Sequence, residues 1–206
     1  MQERVVRVQG RLAAIDGEVE HFVAASGLAC PPGCGACCLS PEVEATVVEL
    51  APMAAALIDA GRAEATLAAL AAAPRPAPCV LYQPDPADPR RGRCSAYATR
   101  PLICRLFGFG ARHGRDGRPE LVTCKTMRAA DPERMAAVSA DELLVRRAPI
   151  MADHAHGLAA DFPGEGTELL PINAALEQAL HRELLHRRMA DLEGPPDDGA
   201  PPCAAA

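Results

Sequence analysis

Four cysteines fall within nine residues, in the run Cys30-Pro-Pro-Gly-Cys34-Gly-Ala-Cys37-Cys38, and that run constrains the chain more than any other feature. Cys79, Cys94, Cys104 and Cys124 follow singly, and Cys203 lies near the end. Gly and Pro around the first four forbid regular structure, so they read as a loop on which several sulfurs can converge. Thiolate is the soft ligand that selects zinc, copper(I) and iron-sulfur clusters, and close cysteine spacing is specific for metal. Cys37 and Cys38 are adjacent, and neighbouring side chains diverge in extended backbone. They are therefore expected to serve two neighbouring centres, or to divide into one ligand and one packing thiol. Eight thiolates, Cys30 to Cys124, suit two four-cysteine sites, and the spacing leaves their partition open. For isolated cysteines such as Cys79 the competing reading is a small buried hydrophobe. Cys203 sits in a Pro-rich tail and reads as an exposed thiol of no consequence.

The segment 1–22 carries charge throughout and lacks the apolar stretch and cleavage site of a signal peptide. No stretch approaches the ~18 apolar residues of a membrane span. A cytoplasmic protein is expected, and the cytosol keeps thiols reduced, which favours metal ligation over disulfides for nine cysteines. The formal net charge of −6 hides an asymmetry. Ten basic residues between Arg90 and Arg128 face only Asp116 and Glu120, a local charge of +8. Such a segment is either a solvated basic loop or a counter-charge to anionic metal-thiolate groups or an anionic ligand. The acidic balance elsewhere and an aromatic content of 3% argue against nucleic-acid partners.

Around the cysteines the chain reads as helix. Val5, Val8, Leu12, Ile15, Val19, Phe22 and Val23 recur at helical steps over residues 2–25. Ser40-Pro41-Glu42 predicts a helix start, with Ser40 as N-cap, running to about Ala60 and ending at Gly61. A second Ala- and Leu-rich helix covers about 62–72. Short extended pieces flank a Pro- and Arg-rich turn at 79–82 and 93–97. One or two helical turns follow from Arg100 to Phe107, then a Gly-rich loop or hairpin and a short strand at 120–124. Asp131-Pro132-Glu133 opens another helix, and Ser139 with Glu142 makes a capping-box pattern for the next, to about Ala160. A long amphipathic helix spans 171–192. The expected fold is mainly α, a small α+β arrangement with short β-strands and a loop-rich cysteine core. Its expected parts are an N-terminal helix (1–25), a cysteine domain (26–128), C-terminal helices packed on it (129–193) and a disordered tail (194–206).

Cys30-PPG-Cys34-GA-Cys37-Cys38, then PCVLY around Cys79, then RCSAYATRPLICRLF through Cys94, Tyr97, Arg100, Pro101, Cys104 and Arg105, resembles the YkgJ-type cysteine-cluster family. Its pattern is a CxxCxxCC-like run followed by C-x2-Y-x2-R-P-x2-C-R. The likeness covers about residues 26–128, and the first gap here is three residues instead of two. The resemblance implies zinc or iron chelation or an iron-sulfur cluster, and it leaves the reaction open. A related cysteine cluster occurs in a flagellin lysine methylase, which implies that the module can support methyl transfer. Arg100 and Arg105 are candidates to donate hydrogen bonds to cluster sulfurs or to an anionic substrate, with a structural ion pair as the competing role. Tyr97 could offer its hydroxyl to a sulfur, and packing is its competing role.

These readings define an iron-sulfur protein with a redox or cluster-dependent catalytic role, set against a structural zinc module and a metal store or chaperone. As an enzyme it would be an iron-sulfur oxidoreductase or a methyl-transfer component. As a module it would present its helices to a protein or small-molecule partner. The gaps Cys30-x3-Cys34-x2-Cys37 equal the radical-SAM spacing. Those enzymes carry it after the first strand of a large αβ barrel, and this chain has a helix there and too few βα units. His154 and His156, two apart, point away from each other, and no histidine has metal-type spacing. The tail lacks the apolar content to dock. Truncation after Glu193 is expected to leave the metal content of the purified protein unchanged, and a clear loss by elemental analysis would refute the reading of Cys203.

Overall fold

The computed structural model describes residues 2–193 and is built from helices with three two-stranded antiparallel pairs among the described residues. Helix α1 (Gln2–Ser26) lays Val8, Leu12, Ile15 and Phe22 inward. The cysteine run follows, and its second half is helical: α2 (Ala36–Leu39) carries Cys37 and Cys38. This corrects the expectation of a loop and of diverging neighbours. On a helical turn, consecutive side chains stand about 100° apart, close enough to share one side.

The predicted helix start at Ser40 is also corrected. Ser40 Oγ accepts the Glu42 backbone N–H at 3.3 Å in a local turn, and the chain runs on as strand β1 (Glu44–Ala45). The β-branched side chains of Val43, Thr46, Val47 and Val48 resist the helix that Pro41 would have opened. The helix α3 (Ala51–Asp59) begins ten residues late, with Pro52 in its first turn, and ends before Gly61 at φ +66°. Helix α4 (Ala63–Ala72) follows as expected.

Strands β2 (Tyr82–Asp85) and β3 (Asp88–Cys94) form a hairpin whose register sets Tyr82 opposite Cys94. A 3₁₀ turn (Tyr97–Thr99) leads into α5 (Leu102–Leu106). Strands β4 (Ala111–His113) and β5 (Pro119–Leu121) make a hairpin of the Gly-rich stretch, where a loop is the other reading, and the strand expected at 120–124 ends at Leu121. Helix α6 (Lys125–Ala130) precedes α7 (Pro132–Ala140), where Asp131 caps the Arg134 N–H as its position before Pro132 predicts. Ser139 does not cap the next helix, for it lies inside α7. Asp141 takes that role, accepting from Leu143 and Leu144, and α8 (Glu142–Val145) stops before Pro149. Helix α9 (Met151–Asp161) is separate. Strand β6 (Leu170–Pro171) pairs with β1 and starts α10 (Ile172–Glu193). The tail expectation lies outside the described residues.

Two apolar clusters position the cysteine segments. One joins α3, α4 and α10 through Leu50, Met53, Leu57, Leu70, Leu176 and Leu180, and Cys79 and Cys94 pack against it. The other joins α1, α5 and α9 through Val8, Leu12, Ile15, Leu106 and Leu158. Between them stands the buried carboxylate of Glu49. Its Oε1 accepts from the Thr46 N–H and hydroxyl at 2.9 Å each, and its Oε2 accepts from the Leu102 N–H at 2.9 Å. It thus caps α5 from a different part of the chain. Burial raises its carboxyl pKa and these donors pull it back down. Glu49→Gln leaves one oxygen for two sets of donors and turns an amide N–H toward another N–H. The expected loss is about 1–3 kcal/mol, read as a fall of several degrees in melting temperature; an unchanged melting point would refute this role.

Candidate metal centre

The cysteine segments are drawn together by backbone bonds and by one close approach. The Cys79 N–H donates to the Cys38 carbonyl at 3.0 Å, and the Gly92 N–H donates to the Gly33 carbonyl at 3.0 Å. Cys34 makes an isolated bridge to Arg91, whose Nη2 donates to the Pro32 carbonyl at 2.9 Å. Gly35 is required here: a Cβ at this position would stand 2.3 Å from the Tyr82 ring. Its absence lets the β2–β3 hairpin lie on α2, which brings Cys94 toward Cys37 and Cys38. Gly33, at φ +67°, makes the turn that precedes Cys34.

The result is one cavity of about 280 Å³ lined by seven cysteines: Cys30, Cys34, Cys37, Cys38, Cys79, Cys94 and Cys104. Cys124, the last of the eight, is not in the lining. It is buried in a third apolar cluster with Phe22, Leu28, Met127 and Met135, and lies near enough to Cys30 to help raise that thiol's pKa. None of the eight is in a disulfide. Among the described residues, no three Cys, His, Asp or Glu side chains converge on one point as a finished metal clasp. The sulfurs surround a space.

Their protons are unevenly held. The Cys38 thiol is the hub, hydrogen-bonded toward Cys37 and Cys94. That bond lowers the Cys37 pKa to about 6 and the Cys94 pKa to about 7, and it pushes the Cys38 pKa up. Burial pushes the Cys30 and Cys79 thiols up to about 11 and raises Cys104 further. The positive charge of Arg100 pulls Cys30, Cys37, Cys94 and Cys104 back toward ionisation.

The arginines divide. Arg100 lines the cavity, with its guanidinium carbon 3.8 Å from the centre of the Tyr97 ring, and its Nε is buried without a hydrogen-bond partner. Tyr97 also lines the cavity and is 61% exposed, so it stands at the mouth. Arg105 points elsewhere. It is 5% exposed, its Nη1 pairs with Asp16 on α1, and it donates to the carbonyls of Arg100 at 2.7 Å and Ala98 at 2.9 Å. The competing role, a structural ion pair, is the one the geometry gives it. Arg112 and Arg118 likewise pair with Glu120 and Glu142 on the surface. Of the basic segment, Arg93 and Arg100 reach the cavity lining. His154 pairs with Glu18 at 3.1 Å, away from the cysteines.

Sequence reasoning missed the rest of the lining. Val43, Leu50, Met53, Ile172 and Leu176 form an aliphatic wall. The helical spacing of Ile172 and Leu176 marks them as core, and nothing local in the chain ties them to cysteines some seventy or more residues earlier.

Soft thiols gathered on one cavity in a small helical frame define a metal-binding cysteine-cluster protein. The chain belongs to the CxxCxxCC family, described as a "putative zinc- or iron-chelating domain", whose model matches residues 29–135, just over half of the chain. The YkgJ-type resemblance and the mainly helical α+β fold both hold, and metal binding is the function that membership supports. No curated protein and no solved structure matches the chain. Among the described residues, no helix is long and apolar enough to cross a membrane.

The thiol pattern has a measurable consequence. In metal-free protein, alkylation of Cys37 by iodoacetamide, followed by mass spectrometry, is expected to rise with a midpoint near pH 6, and Cys38→Ala is expected to move that midpoint toward the ordinary thiol value of about 8.5. A wild-type midpoint at or above the ordinary value would refute the assignment.

Proposed function

We propose that the cavity cysteines hold an iron-sulfur cluster and that the protein has a redox or cluster-dependent catalytic role. One observation carries this reading: seven cysteines line a single cavity of about 280 Å³, where a structural zinc takes four ligands in all. That surplus of thiols around one space suits a larger inorganic group with its own bridging sulfides. Cys30, Cys34, Cys37, Cys38, Cys79, Cys94 and Cys104 are the proposed pool of ligands, and Cys124 is proposed to support Cys30 from behind. When bound, such a cluster supplies one-electron transfer or an open iron site. The chain's own contribution is different. Cys37 and Cys94 offer thiolate near neutral pH, Arg100 offsets the accumulating negative charge, and the apolar clusters exclude water. Tyr97 shields the mouth.

Protein purified without air from iron-replete cells is expected to be brown, to contain iron and acid-labile sulfide, and to bleach on reduction. Because ligand closure and ordering of the 30–38 segment are one event, Cys37→Ser and Cys38→Ser are each expected to lower metal content and to cut the melting temperature by several degrees. Colourless protein with stoichiometric zinc and no sulfide would overturn this reading and establish the structural-zinc alternative.

A further inference from the structure

We infer that Tyr82 is a positioning residue of the metal centre: its ring sits in a slot left open by Gly35 and Gly92, and this fit holds Cys79 and Cys94 against the turn that carries Cys37 and Cys38. The inference rests on the reading that the cavity cysteines hold a metal, and it is independent of which metal that is.

The first support is the shape of the slot. A Cβ on Gly35 would stand 2.3 Å from Cε2 of Tyr82 and 3.1 Å from Cζ, and one on Gly92 would stand 2.6 Å and 2.7 Å from the same two atoms. Carbon atoms pack at about 3.5–4.0 Å, so a methyl group on either side overlaps the ring. One edge of one ring therefore occupies the place of two missing side chains. Gly92 has a second cause, since its Cβ would also stand 2.3 Å from the Gln83 carbonyl oxygen. Gly35 has a φ of −116°, which does not call for glycine. The Tyr82 ring is what requires it.

The second support is what the slot and the ring are tied to. The Tyr82 N–H donates to the Cys79 carbonyl at 3.0 Å, and Tyr82 stands opposite Cys94 in the β2–β3 register. Residues directly opposite in an antiparallel pair project to one face, so the ring and the Cys94 side chain leave the hairpin on the same side. Gly35 lies between Cys34 and Cys37, and its carbonyl accepts the Cys38 N–H at 2.9 Å. One side chain thus joins two groups of cavity cysteines, Cys79 and Cys94 on the hairpin side and Cys34, Cys37 and Cys38 on the other. Tyr97, the tyrosine that the sequence brings forward, has no such seat: it is 61% exposed and stacks on Arg100.

The scale of the effect follows. Relieving the overlap of a methyl group at Gly35 takes a shift on the order of 1 Å between the hairpin and α2. A ligand set works only when held within about 0.5 Å of its geometry. Filling the slot therefore separates Cys94 from Cys37 and Cys38 without altering a thiol.

Cobalt(II) titration of the metal-free full chain tests this, because thiolate-to-cobalt charge-transfer bands report sulfur ligation whatever the native metal is. Iron, zinc and sulfide are measured separately on anaerobically purified protein. Gly35→Ala is expected to weaken cobalt binding about tenfold or more and to dim those bands. Gly10→Ala, whose added Cβ meets nothing within 4 Å, is expected to match wild type. Tyr82→Ala empties the slot and is expected to weaken binding several-fold, and Tyr82→Phe, which keeps the ring, to recover it. Gly35→Ala is expected to have no further effect on top of Tyr82→Ala, since the methyl group then overlaps nothing. The inference is overturned if Gly35→Ala or Tyr82→Ala, folded by circular dichroism, binds cobalt as wild type does. It is also overturned if Gly35→Ala weakens binding equally with and without the ring. Should Gly35→Ala alone not fold, Tyr82→Ala, Tyr82→Phe and the double variant, which contain no overlap, give the answer. Wild-type protein without thiolate-to-cobalt bands would overturn the metal-centre reading and this inference together. Protein that carries zinc and no sulfide, yet shows the expected cobalt pattern, would overturn the iron-sulfur reading alone and keep the role of Tyr82.

Discussion

The buried guanidinium of Arg105 is the interaction on which the cysteine site depends. A charge at 5% exposure is tolerable only when its donors are met. Here the carboxylate of Asp16 on α1 meets one side, and the carbonyls of Ala98 and Arg100 meet the others. The fork of Arg105 thus folds the end of α5 back on the turn before it. That turn carries Tyr97 and Arg100, and α5 carries Cys104. Glu49 fixes the start of the same helix from the α3 side through the Leu102 N–H. Three segments distant in sequence are held in one relation by two buried charged side chains whose hydrogen bonds are met. Lysine at 105 could not repeat this, since it is a point charge without the planar fork.

That frame explains how the basic segment is used. Its charge of +8 looks like a counter-charge to thiolates when read along the chain. In the fold most of the described arginines satisfy carbonyls and carboxylates: Arg91 holds the Pro32 loop, Arg105 holds α5, and Arg112 and Arg118 hold the second hairpin. The field at the sulfurs comes chiefly from Arg100. It acts together with the Cys38 proton, which Cys37 and Cys94 share as acceptors. One proton among three sulfurs keeps two of them ready to ligate, while desolvation of the thiols keeps Cys30, Cys79 and Cys104 protonated. Metal entry at neutral pH would then have to expel protons from the latter, so binding is coupled to pH as well as to folding.

The sequence was most legible where a local rule had no competitor. Helical periodicity placed α1 and α10, Ala- and Leu-rich composition placed α4, and Asp131-Pro132 placed the start of α7. Ser40-Pro41 failed because β-branched residues follow it and because β1 found a partner in Leu170–Pro171, far along the chain. Gly and Pro before Cys37 and Cys38 point to a loop, yet the four residues from Ala36 to Leu39 close a helical turn. Cysteine identity announced the site. It did not separate the seven that line the cavity from Cys124, which local sequence cannot distinguish from Cys79 or Cys94 and which only tertiary packing sets behind the others.

The two walls of the cavity have different origins. Every cysteine in it lies within residues 29–135, the part of the chain that matches the family, as do Val43, Leu50 and Met53. Ile172 and Leu176 lie outside, on α10. The cysteine-lined part of the cavity is therefore made by the shared segment alone. The shape of the space beside it is completed by a helix that the segment does not contain. Substitutions on α10 can change the volume and polarity of that space without touching a thiol, because a helix side chain is exchanged without disturbing the backbone bonds that gather the cysteines. Such a division lets residues 172 and 176 alter the space while the thiol framework stays as it is.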